Sequence, residues 1–135
     1  MTEDRGLLDT SVAVDLGSID PARFPTEIAI SALTLAELTA GPHAASDEVM
    51  RARRQLQLQN VEANFESVPF DSACARAYGR IYTSVDNAGR KPRGARAVDL
   101  MIAATALAND LPLYTRNAKD LHGLENLIEI VDVSA

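Results

Sequence analysis

The chain alternates short apolar runs, which are typical of buried strands, with longer stretches whose apolar residues recur at helical spacing. The predicted strands lie at residues 7–8, 28–30, 67–70, 113–114 and 127–133. Strands separated by helices predict a single α/β domain, covering residues 1–135, with a mainly parallel sheet. In such a sheet, functional groups gather at the carboxyl ends of the strands.

The helices are predicted from apolar periodicity and from residues that favour helix ends. They lie at residues 11–16, 31–40, 46–65, 71–85 and 97–108. The expected N-caps are Ser11, either Ser31 or Thr34, and Asp71. Short polar side chains of this kind accept hydrogen bonds from the first backbone N–H groups of a helix. The pair Gly41-Pro42 is expected to end the second helix.

The composition is that of a globular domain. Hydrophobic residues make up 47% of the chain, enough to build a core. No apolar run approaches the roughly 20 residues needed to span a bilayer, so no membrane association is expected. The N-terminal segment is acidic where a secretory signal would be basic, which favours a cytoplasmic protein. The single cysteine, Cys74, cannot form an internal disulfide and is expected to be buried.

Charge is unevenly distributed along the chain. The formal net charge of −6 argues against a general nucleic-acid-binding protein, because such proteins are usually basic. Turn-forming residues at 87–94 predict a loop. Basic residues are concentrated in and just after this loop, at Arg90, Lys91, Arg93 and Arg96. A second basic group is formed by Arg51, Arg53 and Arg54, so the chain combines an acidic net charge with two local basic segments.

Three carboxylates occupy apolar surroundings. Asp9 follows Leu-Leu at the end of the first predicted strand, Glu37 lies in LTLAELTA, and Asp99 lies in AVDLMIAATALA. Taken singly, each has an ordinary structural interpretation as a cap, a surface position or an acid in the first turn of a helix. Taken together, they occupy element ends that an α/β fold brings to one rim, where Asn117 also follows a strand. Oxygen ligands of this kind suit Mg²⁺ or Mn²⁺.

Histidine is not placed to assist this group. Both histidines, His43 and His122, fall in predicted loops outside the apolar segments. Zinc hydrolase chemistry is therefore not favoured.

Four segments in order carry a family resemblance: LLDTSV, LTLAELTAG, DLMIAATA and YTRNAKDL. Their order and spacing resemble a PIN domain, specifically a VapC-type toxin of a type II toxin–antitoxin system. The resemblance covers nearly the whole chain, although no single segment is specific. It implies a PIN-like α/β/α sandwich and a metal-dependent endoribonuclease that cleaves RNA phosphodiester bonds to inhibit translation and growth.

The resemblance also implies a set of site residues. Asp9 and Asp99 correspond to acids that bind the metal, and Glu37 corresponds to an acid that binds it through water or orients the attacking water. Asn117 stands where relatives often have Asp, which removes one negative charge and puts a tightly held second metal in doubt. Asp120, three residues on, is expected to supply a carboxylate from the same loop.

Hydroxyl groups lie beside these acids at Thr10, Ser11 and Thr115. They either hold metal-bound waters or make local cap and turn bonds.

RNA and protein partners follow from the same resemblance. Arg93, Arg96 and Arg116 are interpreted as groups that contact RNA phosphates near the metal. VapC-type proteins pair with a VapB-type antitoxin and usually form homodimers, so a heterotetramer or larger assembly with the antitoxin is implied. The helices at 33–40 and 46–65 are expected to leave an apolar groove for an amphipathic partner segment.

Other functions remain as alternatives. The first is a non-catalytic PIN-like module that binds RNA or protein: Asn117 favours it, whereas the three acids argue against it. A receiver domain is disfavoured because Asp9 directly follows Gly6-Leu7-Leu8 rather than an acidic pair, and because the segment SVPF carries no Asp. A phosphatase with a DxD motif is disfavoured because Thr10 and Ser11 follow Asp9.

Overall fold

Five parallel strands form the central sheet of the computed structural model, which describes residues 4–91 and 94–134. They are β1 (Arg5–Leu8), β2 (Glu27–Ser31), β3 (Glu66–Val68), β4 (Leu113–Thr115) and β5 (Ile130–Asp132). The order across the sheet is β3-β2-β1-β4-β5. The predicted parallel α/β sheet is confirmed. The third strand ends at Val68, earlier than predicted, because Pro69 cannot donate to a strand ladder.

Strand β1 lies at the centre of the sheet. It pairs with β2 on one side, where Leu8 lies opposite Ile30, and with β4 on the other, where Leu8 lies opposite Tyr114. After β1, the chain first forms β2 and β3 on one side of it and later forms β4 and β5 on the other side. This switch of direction opens a crevice at the carboxyl ends of the two central strands. Asp9 is the first residue beyond β1 and stands at that crevice.

Helices cover both faces of the sheet. They are α1 (Thr10–Ala13), α2 (Ala32–Ala44), α3 (Glu48–Asn64), α4 (Ser72–Asn87) and α5 (Ala97–Ala108). Short 3₁₀ turns lie at Leu16–Ser18, Pro21–Arg23, Gly94–Arg96 and Ala118–Leu121. None of the helices in the described segments is both long and apolar enough to cross a membrane.

Two consecutive residues of β1, Leu7 and Leu8, face opposite sides of the sheet and belong to different halves of the core. Leu7 packs with Ile81 of α4 and Leu100 of α5. Leu8 packs on the opposite face with Val12 of α1 and with α3. Because side chains alternate along a strand, a continuous apolar run buries both faces of the sheet. The result is the α/β/α sandwich that the sequence predicts.

The end of α2 differs from the sequence prediction. Gly41-Pro42 does not stop the helix, which continues to Ala44. Arg54 Nη1 of α3 donates to the Gly41 carbonyl at 2.8 Å, and Arg51 Nε donates to the Pro42 carbonyl at 3.3 Å. These bonds tie carbonyls in the last turn of α2 to α3, and the Pro42 carbonyl also accepts the Ala45 N–H at 3.3 Å. Packing against α3 thus extends a helix that local propensity would end.

Candidate active site

A cleft opens at the carboxyl ends of β1 and β4. Its polar lining consists of Asp9, Ser11, Asp99, Thr115, Asn117 and Asp120. Asp9 follows β1, Asp99 lies in the first turn of α5, and the turn after β4 supplies Asn117 and Asp120. Four of the five acids and amides singled out in the sequence therefore line one cleft. Their positions follow from the common carboxyl edge of parallel strands.

Asp9 is held by the start of α1. Its Oδ1 accepts hydrogen bonds from the Val12 N–H at 3.2 Å and from the Ser11 hydroxyl at 2.6 Å. Its own N–H donates to the Tyr114 carbonyl at 3.0 Å. Asp9 is thus the N-cap of α1, and the prediction that Ser11 would cap this helix is wrong. The N-cap lies two residues earlier than expected because the carboxylate that directly follows β1 caps the helix.

Asp99 is the acid whose ionisation the cleft perturbs. It is exposed at the cleft mouth, yet the surrounding protein atoms reduce hydration of its carboxyl. This desolvation raises the pKa of Asp99 above its ordinary value, and the negative charges of Glu37, Asp9 and Asp120 raise the pKa further. Arg96 acts in the opposite direction. The acids are therefore close enough to repel one another, which a bound cation would relieve.

Glu37 lies beside the cleft rather than in its lining. It is an exposed residue of α2, and its Oε1 accepts a hydrogen bond from the Thr10 hydroxyl. Thr10 is the first residue of α1. The contact joins α2 to the element that Asp9 caps. The negative charge of Glu37, second to desolvation, helps to raise the pKa of Asp99.

The donor groups of the cleft fit a hard divalent cation. Within residues 4–91 and 94–134, no three Asp, Glu, His or Cys side chains converge as a ready-made metal cage. Magnesium needs no such cage, because it is usually held by one or two carboxylates together with water and substrate phosphate. The cleft has a volume of about 40 Å³, which leaves space for water beside an ion. Asp9, Asp99 and Asn117 all line this cleft, and their side-chain oxygens are of the kind that would suit such an ion.

The histidines belong to other surfaces. His122 forms a contact of 3.3 Å with Glu125, and His43 is exposed in the last turn of α2. Neither lines the cleft. The donor set is therefore one of oxygen atoms, which favours magnesium or manganese over zinc.

Two arginines hold the turn that carries Asp120. Arg90 Nη1 donates to the Lys119 carbonyl at 2.7 Å, and Arg96 Nη1 donates to the Asp120 carbonyl at 3.0 Å. The basic segment predicted from the sequence thus has a structural role in shaping the cleft. Arg93 lies outside the described residues. A contact of Arg96 with RNA stays a prediction.

The side chain of Arg116 is held by a residue outside the cleft lining. Its guanidinium forms an ion pair with Asp15 and lies 3.5 Å from the Ser18 hydroxyl. Its backbone N–H donates to the Ser11 hydroxyl at 3.1 Å. Sequence reasoning missed Asp15 because it lies 101 positions from Arg116, and no local pattern signals that pair. The predicted contact of Arg116 with RNA stays a prediction.

Sequence reasoning also missed a polar group behind Glu37. Ser31 and Thr34 were considered only as helix caps, and Ser31 does cap α2. Their side chains are fully buried and connect to Thr10. The one available signal was the recurrence of hydroxyl residues around the predicted start of α2.

Comparisons with known proteins agree with this geometry. The profile of the PIN domain matches residues 6–124. Ribonuclease VapC5 of Mycobacterium tuberculosis is 37% identical over 119 residues, which cover 86% of this chain and 85% of the relative.

Solved structures agree as well. A crystal structure of VapBC-5, a member of the VapBC family of toxin–antitoxin systems from Mycobacterium tuberculosis, superposes with a TM-score of 0.84 at 36% identity. That match covers 96% of this chain and 99% of the other. Rickettsia felis VapBC2, bound to a DNA fragment from the promoter, has a TM-score of 0.73 at 26% identity, covering 95% and 99% of the two chains.

Proposed function

Since this chain belongs to the PIN domain family, we propose that it is a divalent-metal-dependent endoribonuclease, the toxin of a VapBC-type toxin–antitoxin pair. Cleavage of cytoplasmic RNA would inhibit translation and growth. The observation that carries the proposal is the convergence of Asp9, Asp99 and Asp120 on one cleft, with Glu37 close enough to raise the pKa of Asp99. Such a concentration of negative charge is costly without a cation.

Asp9 and Asp99 are the proposed ligands of Mg²⁺ or Mn²⁺, and Glu37 acts through water or orients the attacking water. When bound, the cation lowers the pKa of water and offsets charge that develops on the phosphoryl oxygens. Ser11 and the Val12 N–H fix the orientation of Asp9. Asn117 supplies a neutral oxygen.

The reaction is hydrolysis of a phosphodiester. A water oxygen forms a bond to phosphorus while one ester P–O bond breaks, and the proton that water loses reaches the departing oxygen. Glu37 is suited to orient the water because its carboxylate lies at the cleft edge, tethered by Thr10. The Asp120 turn, held by Arg96, also borders the cleft.

Basic groups would guide RNA to this acidic centre. Arg96 lies next to Asp120 and partly offsets the charge on Asp99. Arg93 and Arg116 are the other proposed phosphate contacts. With a net charge of −6, the rest of the surface disfavours non-specific binding, so productive binding depends on these few residues.

An antitoxin is the proposed protein partner. The Mycobacterium tuberculosis and Rickettsia felis neighbours are VapBC toxin–antitoxin structures. By analogy we infer a VapB-type partner, a homodimer of this chain, and a heterotetramer or larger complex. The apolar groove lies beside α3 on the α1 side, where Val14 and Leu56 are 43% and 59% exposed. Of the two helices expected to leave this groove, α3 lines it and α2 does not.

The test is cleavage of total bacterial RNA by the purified chain with Mg²⁺, with Mn²⁺ and with EDTA. We expect discrete fragments that EDTA abolishes and that Asp9→Asn reduces by at least about a hundredfold. Glu129→Gln is a matched control, because Glu129 is exposed at the amino end of β5, on the opposite edge of the sheet. A folded chain that cleaves no RNA with either metal would instead support the non-catalytic binding module, with Asn117 as the first residue to examine.

A further inference from the structure

Three hydroxyl groups form a connected chain that leads from the end of β2 to Glu37. Ser31 Oγ donates to Thr34 Oγ1 at 3.3 Å, Thr34 Oγ1 lies 3.0 Å from Thr10 Oγ1, and Thr10 Oγ1 donates to Glu37 Oε1. Ser31 and Thr34 are fully buried. We call Ser31, Thr34 and Thr10 the hydroxyl chain.

The direction of the hydroxyl chain follows from counting protons. Each hydroxyl has one proton to donate. Since Thr10 gives its proton to Glu37, it accepts from Thr34. Thr34 in turn accepts from Ser31, whose oxygen is occupied on its other side by the Thr34 N–H at 3.0 Å. All three protons therefore point towards the Glu37 carboxylate, and each bond polarises the next.

The burial of Ser31 and Thr34 keeps water out of this hydrogen-bonded arrangement. Water cannot replace Thr34 in its contact with Thr10, because Thr34 has no solvent-exposed surface. Glu37 by contrast is exposed, and an exposed glutamate has many rotamers available. The hydroxyl chain thus connects a rigid, buried support to a side chain that would otherwise be free to move.

We infer that Thr34 is a positioning residue, which fixes the Glu37 carboxylate through Thr10 in the orientation that metal-dependent RNA cleavage requires. This inference rests on the proposed function. Thr34 does not line the cleft and touches no reacting atom. Its effect is transmitted by the Thr10 hydroxyl alone, so loss of the Thr34 hydroxyl releases Glu37 without altering the charge of the cleft.

Thr34→Val tests the inference because valine keeps the shape of threonine and removes its hydroxyl. We expect kcat for RNA cleavage to fall about tenfold, with KM for RNA changed by less than about twofold, since Glu37, which is proposed to act through water, has lost the bond that supports its orientation. The Kd for Mn²⁺, measured by calorimetry without RNA, should rise by a factor of roughly three to ten. Thr34→Ser, which keeps the hydroxyl, should restore both quantities.

Thr105→Val is the matched control. Thr105 is also fully buried, and its hydroxyl donates to the Met101 carbonyl within α5, away from the hydroxyl chain. It should lose stability much as Thr34→Val does, yet keep its kcat and its Mn²⁺ affinity. If the two variants lose activity equally, Thr34 has only a structural role and the inference is wrong.

A double substitution identifies the route of the effect. In a Glu37→Gln background, Thr34→Val should reduce kcat no further, because the side chain it positions is already disabled. A further tenfold loss would overturn the inference. If Thr34→Val does not fold, Thr10→Val interrupts the hydroxyl chain one step nearer to Glu37. It must then give the same fall in kcat and the same rise in the Kd for Mn²⁺.

Failure of this inference is separable from failure of the proposed function. If the parent chain cleaves RNA with Mn²⁺ and Thr34→Val does so equally well, the inference is wrong and the proposed function stands. If the parent chain cleaves no RNA, the proposed function fails. The Mn²⁺ affinities of the Thr34→Val and Thr34→Ser variants then decide whether the hydroxyl chain positions Glu37.

Discussion

The Ser11 hydroxyl donates a 2.6 Å hydrogen bond to Asp9 Oδ1. The same hydroxyl accepts the backbone N–H of Arg116 at 3.1 Å, so Ser11 joins the ends of β1 and β4 at the base of the cleft. A serine placed in this way sets the orientation of the proposed metal ligand and ties together two loops of the site.

Ser11→Ala should therefore weaken metal binding and catalysis together. We expect the Kd for Mn²⁺ to rise and kcat to fall by roughly tenfold each, because Asp9 loses one of the two bonds on Oδ1. Calorimetry and RNA cleavage measure these changes. Ser46→Ala, which removes an exposed hydroxyl between α2 and α3, is the control. Equal Mn²⁺ affinity in Ser11→Ala and the parent chain would show that Asp9 is oriented without Ser11.

The raised pKa of Asp99 predicts how the free energy of unfolding of the metal-free protein depends on pH. The pKa of Asp99 is raised in the folded state, so its protonated form favours folding. That stability is complete below the ordinary value of 3.8 and is lost as the pH rises through the folded-state pKa. Asp99→Asn should therefore raise the melting temperature near pH 7 by a few degrees at most, because the carboxyl is open to solvent, and should have no such effect near pH 3. Thermal unfolding in EDTA checks this, and a lower melting temperature for Asp99→Asn at pH 7 would contradict it.

With Mg²⁺ present, the parent chain rather than Asp99→Asn should have the higher melting temperature near pH 7. The parent chain should gain thermal stability when Mg²⁺ is added, since a ligand that binds only the folded state stabilises it. Asp99→Asn should gain less. An equal gain in both proteins would exclude Asp99 as a ligand.

Arg116 and Asp15 give opposite predictions for RNA binding. Arg116→Ala should raise KM for RNA by about threefold to tenfold if the guanidinium contacts phosphate. Asp15→Asn removes the carboxylate that now pairs with Arg116 and should lower KM. Cleavage rates at several salt concentrations measure both effects. If KM is unchanged in the two variants, Arg116 serves only to hold the turn at Leu16–Ser18.

The α3 groove predicts where the antitoxin binds. Leu56→Glu should weaken binding of the cognate antitoxin by at least about tenfold, because it places a charge in the apolar groove beside Val14, and should leave RNA cleavage unchanged. Val49→Glu is the control, since Val49 is 70% exposed on the same helix but does not line the groove. Binding measured by calorimetry should distinguish them. Equal affinities for the two variants would place the antitoxin elsewhere.

By itself, the sequence determined the order of elements and the edge of the sheet where the acids gather. Both follow from local rules: apolar runs mark buried strands, helical periodicity marks their crossovers, and parallel strands present their carboxyl ends together. Asp9 and Asn117 were placed at one rim because each directly follows a strand. Asp99 was placed at the same rim because it lies in the first turn of the predicted last helix.

Only the tertiary structure decided how those residues are held. Asp9 replaced Ser11 as the cap of α1, and α2 passed through Gly41-Pro42, because neighbouring elements supply or accept hydrogen bonds that local propensity does not register. The pairing of Arg116 with Asp15 and the hydroxyl chain behind Glu37 join residues that are far apart in sequence. Such contacts depend on which side chains packing brings within about 3 Å of each other, and periodicity along the chain carries no information at that scale.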